Sequence, residues 1–159
     1  MSGEDKQIFD LGPGSSLVPA VRAFRAAVLL GERLHYLMDE RLRADGLTTK
    51  QAALLTVVIA LDRPTVTEAA AALRTSHQNV AQLVAPLERK GFLRVEADPG
   101  DRRRKRLAVT EASNAYWLGR DDADEAAVAE WFSALTPTEL ATFLDFCERI
   151  LGGLDGSGG

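Results

Sequence analysis

A polar turn between two helical segments is the feature that most constrains the fold of this chain. The segments TVTE at 65–68 and TSHQ at 75–78 both have the spacing of a capping box, so a helix is predicted to begin at each. The first helix is short and ends at Leu73, whereas the second is predicted to run to Lys90, before Gly91 closes it. Two helices joined by so brief a turn form a helix-turn-helix, whose second helix is suited to enter a nucleic-acid groove.

A β-hairpin is predicted directly after these helices. Apolar and polar residues alternate over 93–97 and again over 106–109, and DPGD at 98–101 is typical of a tight turn. The hairpin tip then carries five successive cations at 102–106. Because adjacent cations repel one another, the run favours contact with a polyanion, and a solvated charge run is the alternative.

Charge is divided unevenly along the sequence. The whole chain has a net charge of -4, but residues 74–106 carry nine basic and four acidic side chains, whereas 107–159 carry two and ten. This division predicts a basic, polyanion-binding face on an otherwise acidic protein.

The segment before these elements is predicted to form one long helix. Apolar residues recur at alternating spacings of four and three from Leu17 to Leu42, with a cap at Ser16 and a stop at Asp45-Gly46. At 1.5 Å per residue such a helix would span roughly 40 Å, which is more than a small globule covers. Its apolar face is therefore predicted to pack partly against a second subunit.

The remaining helices bring the predicted total to about six. One follows the capping box TTKQ, one spans 110–134, and the last begins at TPTE and ends at 151. The length of the chain is that of one domain, with a single folded unit over 17–151. Residues 1–16 and 152–159 are rich in glycine and polar residues, and both are predicted to be mobile tails.

The central sequence resembles that of the MarR family of bacterial transcription regulators. The matching motifs are LERKG at 87–91, DPGDRR at 98–103 and AVT at 108–110, in the family's order and spacing. Val109 and Ser113 are mild departures from the family pattern. The resemblance implies a mainly α fold with a small β-hairpin wing, which is a dimeric winged helix-turn-helix.

The same resemblance implies how the chain is organised. Residues 47–109 would form the DNA-binding lobe, and residues 17–46 and 110–151 would supply the dimerisation helices. The partners would be double-stranded DNA and a second copy of the chain. Pro86 departs from the family pattern and predicts a bend in the second helix, because proline removes one helical hydrogen bond.

A helical wheel of the second helix separates a packing side from a reading side. Ser76, Val80, Leu83, Val84 and Leu87 fall together and are predicted to pack on the core. Gln78 and Gln82 face the other way, and glutamine amides pair with adenine edges. Solvated glutamines that read nothing are the alternative. The predicted DNA contacts are Arg74, Thr75, Ser76, His77, Gln78, Asn79, Gln82, Arg102, Arg103, Arg104 and Lys105.

Two roles at the wing are implied by the resemblance alone. Asp101 and Arg103 would brace the hairpin, while a tip arginine such as Arg102 would enter the minor groove of DNA. Which arginine has which role stays open at this point.

His35, Tyr36 and Trp117 form a candidate pocket for a small aromatic or other apolar effector. The alternative is that they belong to the core or to a subunit interface, where such side chains on helices are more often found. The single cysteine, Cys147, lies on an apolar stripe and is predicted to be buried and unreactive.

Other classes of protein find little support in the sequence. An uncharged apolar run of membrane-spanning length and an export signal are both missing, so a cytoplasmic protein that does not span the membrane is expected. One cysteine, two histidines and the lack of a catalytic motif predict no metal site, no cofactor and no enzyme activity. The predicted function is sequence-specific transcription regulation, as a repressor released by a small molecule. The alternative is an architectural DNA-binding module without an effector or strong sequence preference.

Overall fold

The computed structural model describes residues 9–155, except for the side chains of Asp121 and Asp155. Within this range there are seven α-helices and one two-stranded sheet, so the predicted mainly α fold with a hairpin is confirmed. In chain order the elements are α1 (Pro19–Leu42), a 3-10 helix (Arg43–Asp45), α2 (Thr49–Ala60), α3 (Val66–Ala72), α4 (His77–Arg89), β1 (Leu93–Ala97), β2 (Lys105–Val109), α5 (Glu111–Leu118), α6 (Asp121–Trp131) and α7 (Pro137–Asp155).

The contacts divide the chain into one unit that ends at Thr110 and a second that begins at Glu111. The grouping of 17–46 with 110–151 as dimerisation helices therefore stays a prediction.

The buried core of the first unit lies between the end of α1 and the hairpin. Leu54 and Leu55 of α2, Leu87 of α4 and Leu107 of β2 have no exposed surface. Helix α1, by contrast, buries only Leu42 among its 24 residues. The winged helix-turn-helix thus has a core of its own, while most of the long first helix stays uncovered.

The two strands of the predicted hairpin pair with each other. Leu93 lies opposite Val109 and Ala97 opposite Lys105 in an antiparallel ladder. The Leu107 N–H also donates to the Pro64 carbonyl at 2.8 Å, so the chain before α3 runs beside β2. The sheet is thereby joined to the first helix of the helix-turn-helix.

Capping boxes at three predicted helix starts are confirmed, but the predicted start of α1 is wrong. The boxes open α2 at Thr48, α3 at Thr65 and α7 at Thr136. Helix α1 begins at Pro19 after Val18, with no side-chain cap, so Ser16 does not cap it. Proline suits the first helical position because its missing N–H would have no partner there.

The single helix predicted over 110–134 is two helices, α5 and α6. They are separated at Gly119 and Arg120, where the φ of Arg120 widens to -111°. Glycine weakens a helix by about 1 kcal/mol relative to alanine, so this is the least costly place to interrupt it. The Arg120 guanidinium spans the break, because it lies over the Tyr116 ring and donates to both Asp124 carboxylate oxygens at 3.0 and 3.1 Å.

The predicted end of α7 at residue 151 is also wrong, because the helix continues through Gly152 and Gly153 to Asp155. Glycine lowers helix propensity but does not prevent helical dihedral angles.

At the other end of the chain, part of the predicted tail makes hydrogen bonds. Arg22 donates to the Leu11 carbonyl at 3.0 Å, and Ser15 donates to Asp10 at 2.9 Å. Residues 1–8 and 156–159 of the two predicted tails lie outside the described residues.

Candidate nucleic-acid interface

Helix α4 presents a polar face to solvent. Val80 and Leu87 are fully buried, whereas Gln78 and Gln82 are exposed, so the predicted separation of a packing side from an exposed side is confirmed. Ser76, which was predicted to pack, is exposed. The helix continues through Pro86 to Arg89, and the bend at that residue stays a prediction.

The residue that caps α4 lies one position after the predicted one. Ser76, not Thr75, caps the helix, because its hydroxyl accepts the Asn79 N–H at 3.1 Å. The Thr75 N–H donates to the Ala70 carbonyl at 3.0 Å, so Thr75 still belongs to the end of the preceding helix. The Thr75 hydroxyl instead accepts from the Asn79 amide at 2.9 Å and holds that side chain at one edge of α4.

The wing tip presents four cations on a turn shaped by two aspartates. Asp98 Oδ1 accepts the N–H groups of Gly100 and Asp101, at 2.7 and 3.2 Å. Asp101 Oδ1 accepts the Arg103 N–H at 3.0 Å. The side chains at 102–105 are all exposed, as a surface that binds phosphates requires.

An ion pair between Asp98 and Arg106 braces the wing, and the predicted partners Asp101 and Arg103 are joined through the Arg103 N–H. Asp98 Oδ2 accepts from Arg106 Nε, while the Asp101 carboxylate is used by the backbone of the turn. Arg106 is half-buried and also donates to the Arg63 carbonyl at 2.9 Å. The run of five cations is therefore divided, because its last member points into the structure.

The Asp98–Arg106 pair alters the acidity of both groups. The hydrogen bond from Arg106, assisted by the Gly100 N–H, lowers the pKa of Asp98, and the same pair raises the pKa of Arg106. Both groups thus stay charged at neutral pH. A second ion pair, from Arg63 to Glu96 of β1, also joins the hairpin to the loop before α3.

Two cavities adjoin α4. The first, here called the wing-side cavity, has a volume of about 470 Å³ and lies between the start of α3, His77, Arg104 and Lys105. Glu68 also lines this cavity, and hydrogen bonds from Thr65 lower the pKa of its carboxyl group. The wing-side cavity is thus basic, with one carboxylate in its wall.

The second cavity, here called the α2-side cavity, has a volume of about 420 Å³. It is lined by His35 of α1, by Lys50 of α2, by Arg74 of the turn, and by Asn79 and Gln82 of α4. Four predicted DNA contacts therefore share a cavity with α1 and α2, namely Arg74, Thr75, Asn79 and Gln82.

Residues 45–104, which run from the end of the 3-10 helix to the wing tip, match the model of the MarR family. This segment is less than half of the 159 residues, so the chain is similar to the MarR family over its central part. Its members are transcription regulators, which agrees with the exposed reading face and the basic wing.

One similar protein is a transcription regulator. The chain is 34% identical over 104 residues to the transcriptional activatory protein BadR of Rhodopseudomonas palustris. The match covers 62% of this chain and 58% of BadR, so the chain spans less than two thirds of that relative.

Solved MarR-type structures share the fold. The S. aureus MepR–DNA complex has a TM-score of 0.70 at 20% identity, over 82% of this chain and 94% of that one. The PcaV regulator of Streptomyces coelicolor, in complex with its natural ligand, has a TM-score of 0.73 at 22% identity, over 86% and 96%. These likenesses confirm the winged helix-turn-helix architecture. Among the described residues, no helix has both the length and the apolar character needed to cross a bilayer.

Lys50 is a residue of the α2-side cavity that sequence reasoning missed. It belongs to the capping box TTKQ and looked like an ordinary solvated lysine of the first turn of α2. Only the packing of α2 against α4 brings it to the same cavity as Asn79 and Gln82.

The structure does not bring all three candidate effector residues to one described cavity. His35 is exposed and lines the α2-side cavity, whereas Tyr36 is absent from that lining and has Arg33 over its ring at 5.2 Å. Trp117 belongs to the second unit, where its ring lies edge-on to Tyr116. Cys147 is half-buried rather than buried.

Proposed function

We propose that this protein is a sequence-specific regulator of transcription that binds double-stranded DNA as a homodimer. The observation that carries the proposal is the polar face of α4, with Gln78 and Gln82 exposed beside a wing whose cations at 102–105 are exposed as well. Amide side chains suit base edges in the major groove, while the wing cations suit phosphates and the minor groove.

The dimer is supported by apolar surface on both long helices. Phe24 of α1 is 68% exposed and Ile150 of α7 is 63% exposed, and several apolar neighbours on each helix are exposed too. Contiguous apolar surface of this kind marks an interaction site. A two-fold dimer would place two α4 helices on half-sites one helical turn apart.

Repression that a small molecule relieves is the mode we propose for the regulator. The PcaV regulator, which is similar in fold and was solved with its natural ligand, supports an effector. Activation is the second candidate, because the relative BadR is named as an activator. A reporter driven by the recovered binding site distinguishes the two modes, since removal of the protein raises expression under repression and lowers it under activation.

Selection of duplexes from a randomised pool, followed by competition with random DNA, tests the proposal. We expect the selected duplex to be an inverted repeat that binds at least about 10³-fold more tightly than random duplex. Firm binding with a ratio near one would favour the architectural alternative. A protein that binds neither duplex would overturn the proposal altogether.

A further inference from the structure

An α-helix that lies in the major groove has a sugar-phosphate strand on each side. With its side chains the helix is about 10–12 Å across, and the groove is about 12 Å wide, so both strands must pass close to the helix. The wing of this protein lies on one side of α4 only. The DNA strand on the other side of α4 would need a separate protein side chain to contact its phosphates.

The α2-side cavity lies on that other side. His77 lines the wing-side cavity, whereas Asn79 and Gln82 line the α2-side cavity. Because successive helical residues are turned by about 100°, the side chains of His77 and Asn79 leave α4 about 160° apart. Gln78 lies between them on the exposed face, so the two cavities flank the reading surface.

The walls of the α2-side cavity suit a phosphate group. Lys50, which is exposed, and Arg74 supply positive charge, and Thr49 and Thr75 supply polar side chains. None of its described lining residues is acidic, whereas Glu68 lines the wing-side cavity. Because its described lining has no carboxylate, the α2-side cavity is the better anion site of the two.

One carboxylate lies near this cavity, and it is already engaged. Asp39 of α1 accepts both the N–H and the hydroxyl of Thr49, at 2.6 and 2.7 Å. Although desolvation acts to raise it, these hydrogen bonds and the charges of His35 and Lys50 bring the pKa of Asp39 below its usual value. Asp39 therefore stays ionised and fixes the start of α2, which carries Lys50.

We propose, on the basis of the regulator function above, that the α2-side cavity holds a backbone phosphate of the DNA strand across α4 from the wing. The Lys50 ammonium is its main counter-charge, and Arg74 supports it from the turn. Each recognition helix is then held between two phosphate contacts, one at the wing and one at Lys50.

The salt dependence of DNA binding by a Lys50→Gln variant tests this contact. Loss of one phosphate contact should flatten the slope of log K against log salt by about 0.9 for each α4 that binds. The affinities for the selected and the random duplex should fall by the same factor, because a phosphate contact carries no sequence information. Lys50→Arg keeps the charge and should retain the slope of the native protein.

Arg43→Gln is the matched control. Arg43 lies in the same unit, its side chain is 74% exposed and pairs with Glu40, and it lines neither cavity. If Lys50→Gln changes the slope no more than Arg43→Gln does, the inference is wrong while the proposed function stands. Failure of the native protein to bind DNA would instead overturn the proposed function.

A second experiment uses the native protein, so it does not depend on the folding of a variant. Single phosphates of the selected duplex are replaced in turn by uncharged methylphosphonates. We expect two groups of sensitive phosphates in each half-site, one on each strand that borders the groove. Sensitivity confined to the strand at the wing would contradict the proposal.

Discussion

At the scale of the residue, Asp98 is the side chain on which the shape of the wing most depends. One of its oxygens accepts two N–H groups of the turn, and the other accepts from Arg106. A charged acceptor with several donors is among the stronger hydrogen-bonded arrangements. The cations at 102–105 are thereby displayed on a turn of defined shape.

Asp98→Asn should destabilise the protein at neutral pH but not in strong acid. The pKa of Asp98 is lowered in the folded state, so its stabilising effect is present above the unfolded pKa and is lost as pH falls through the folded value. Urea midpoints of the native protein and the variant should therefore differ at pH 7 and converge below about pH 4. Asp145→Asn, which changes an exposed carboxylate near Arg149, is the control and should show little difference at either pH. A gap that persists unchanged in acid would contradict this role.

Gln82→Ala should reduce specificity more than it reduces general affinity. Gln82 is exposed on the reading face of α4, and loss of a bidentate base contact costs about 1 to 3 kcal/mol on the preferred site. Titration of the selected and the random duplex measures the ratio, which should shrink. Arg104→Ala is the comparison, because loss of a phosphate contact should weaken binding to both duplexes alike. An unchanged ratio for Gln82→Ala would move the base reading to other residues.

At the scale of the element, the helix-turn-helix depends on where α4 begins. Arg74 has a φ of 50°, in the left-handed region, and it reverses the chain after α3. Ser76, two residues later, has an extended backbone, and its hydroxyl accepts from the Asn79 N–H in the first turn of α4. The orientation of the reading face follows from this cap.

Ser76→Ala should destabilise the protein by about 1 kcal/mol, because it removes the N-cap of α4. Thr75→Ala removes a hydroxyl that bonds only the Asn79 side chain, and it should cost less than about 0.5 kcal/mol. Chemical denaturation of the two variants shows which one loses more stability. If Thr75→Ala were the more damaging change, the cap would lie at residue 75 instead.

At the scale of the whole molecule, the exposed apolar surfaces of α1 and α7 require a partner. The described side chains of α7 include none that is buried, although Leu144, Ile150 and Leu151 are large and apolar. A second copy of the chain would cover such surfaces and would also pair the two DNA-reading helices.

The protein should have a mass in solution of twice 17.2 kDa at micromolar concentration. Phe24→Asp should shift it toward the monomer, because a carboxylate would be buried in the interface. Ile59→Asp is the matched control, since Ile59 is 49% exposed but lies on α2. Light scattering measures the mass of the native protein and of each variant. A monomeric native protein would exclude the dimer.

Local sequence determined much of this protein by itself. The capping boxes at Thr48, Thr65 and Thr136 join residues only three apart, and strand alternation also acts over neighbouring residues, so both can be read along the chain. Only the tertiary structure decided that Asp98 pairs with Arg106 and that His35 and Lys50 share a cavity with Gln82. Asp98 and Arg106 meet because β1 and β2 pair, whereas His35, Lys50 and Gln82 meet because α1, α2 and α4 pack together. The break at Gly119 and the helix through Gly152 were also decided by the tertiary structure. Glycine permits either conformation, so the surrounding contacts determine which one forms.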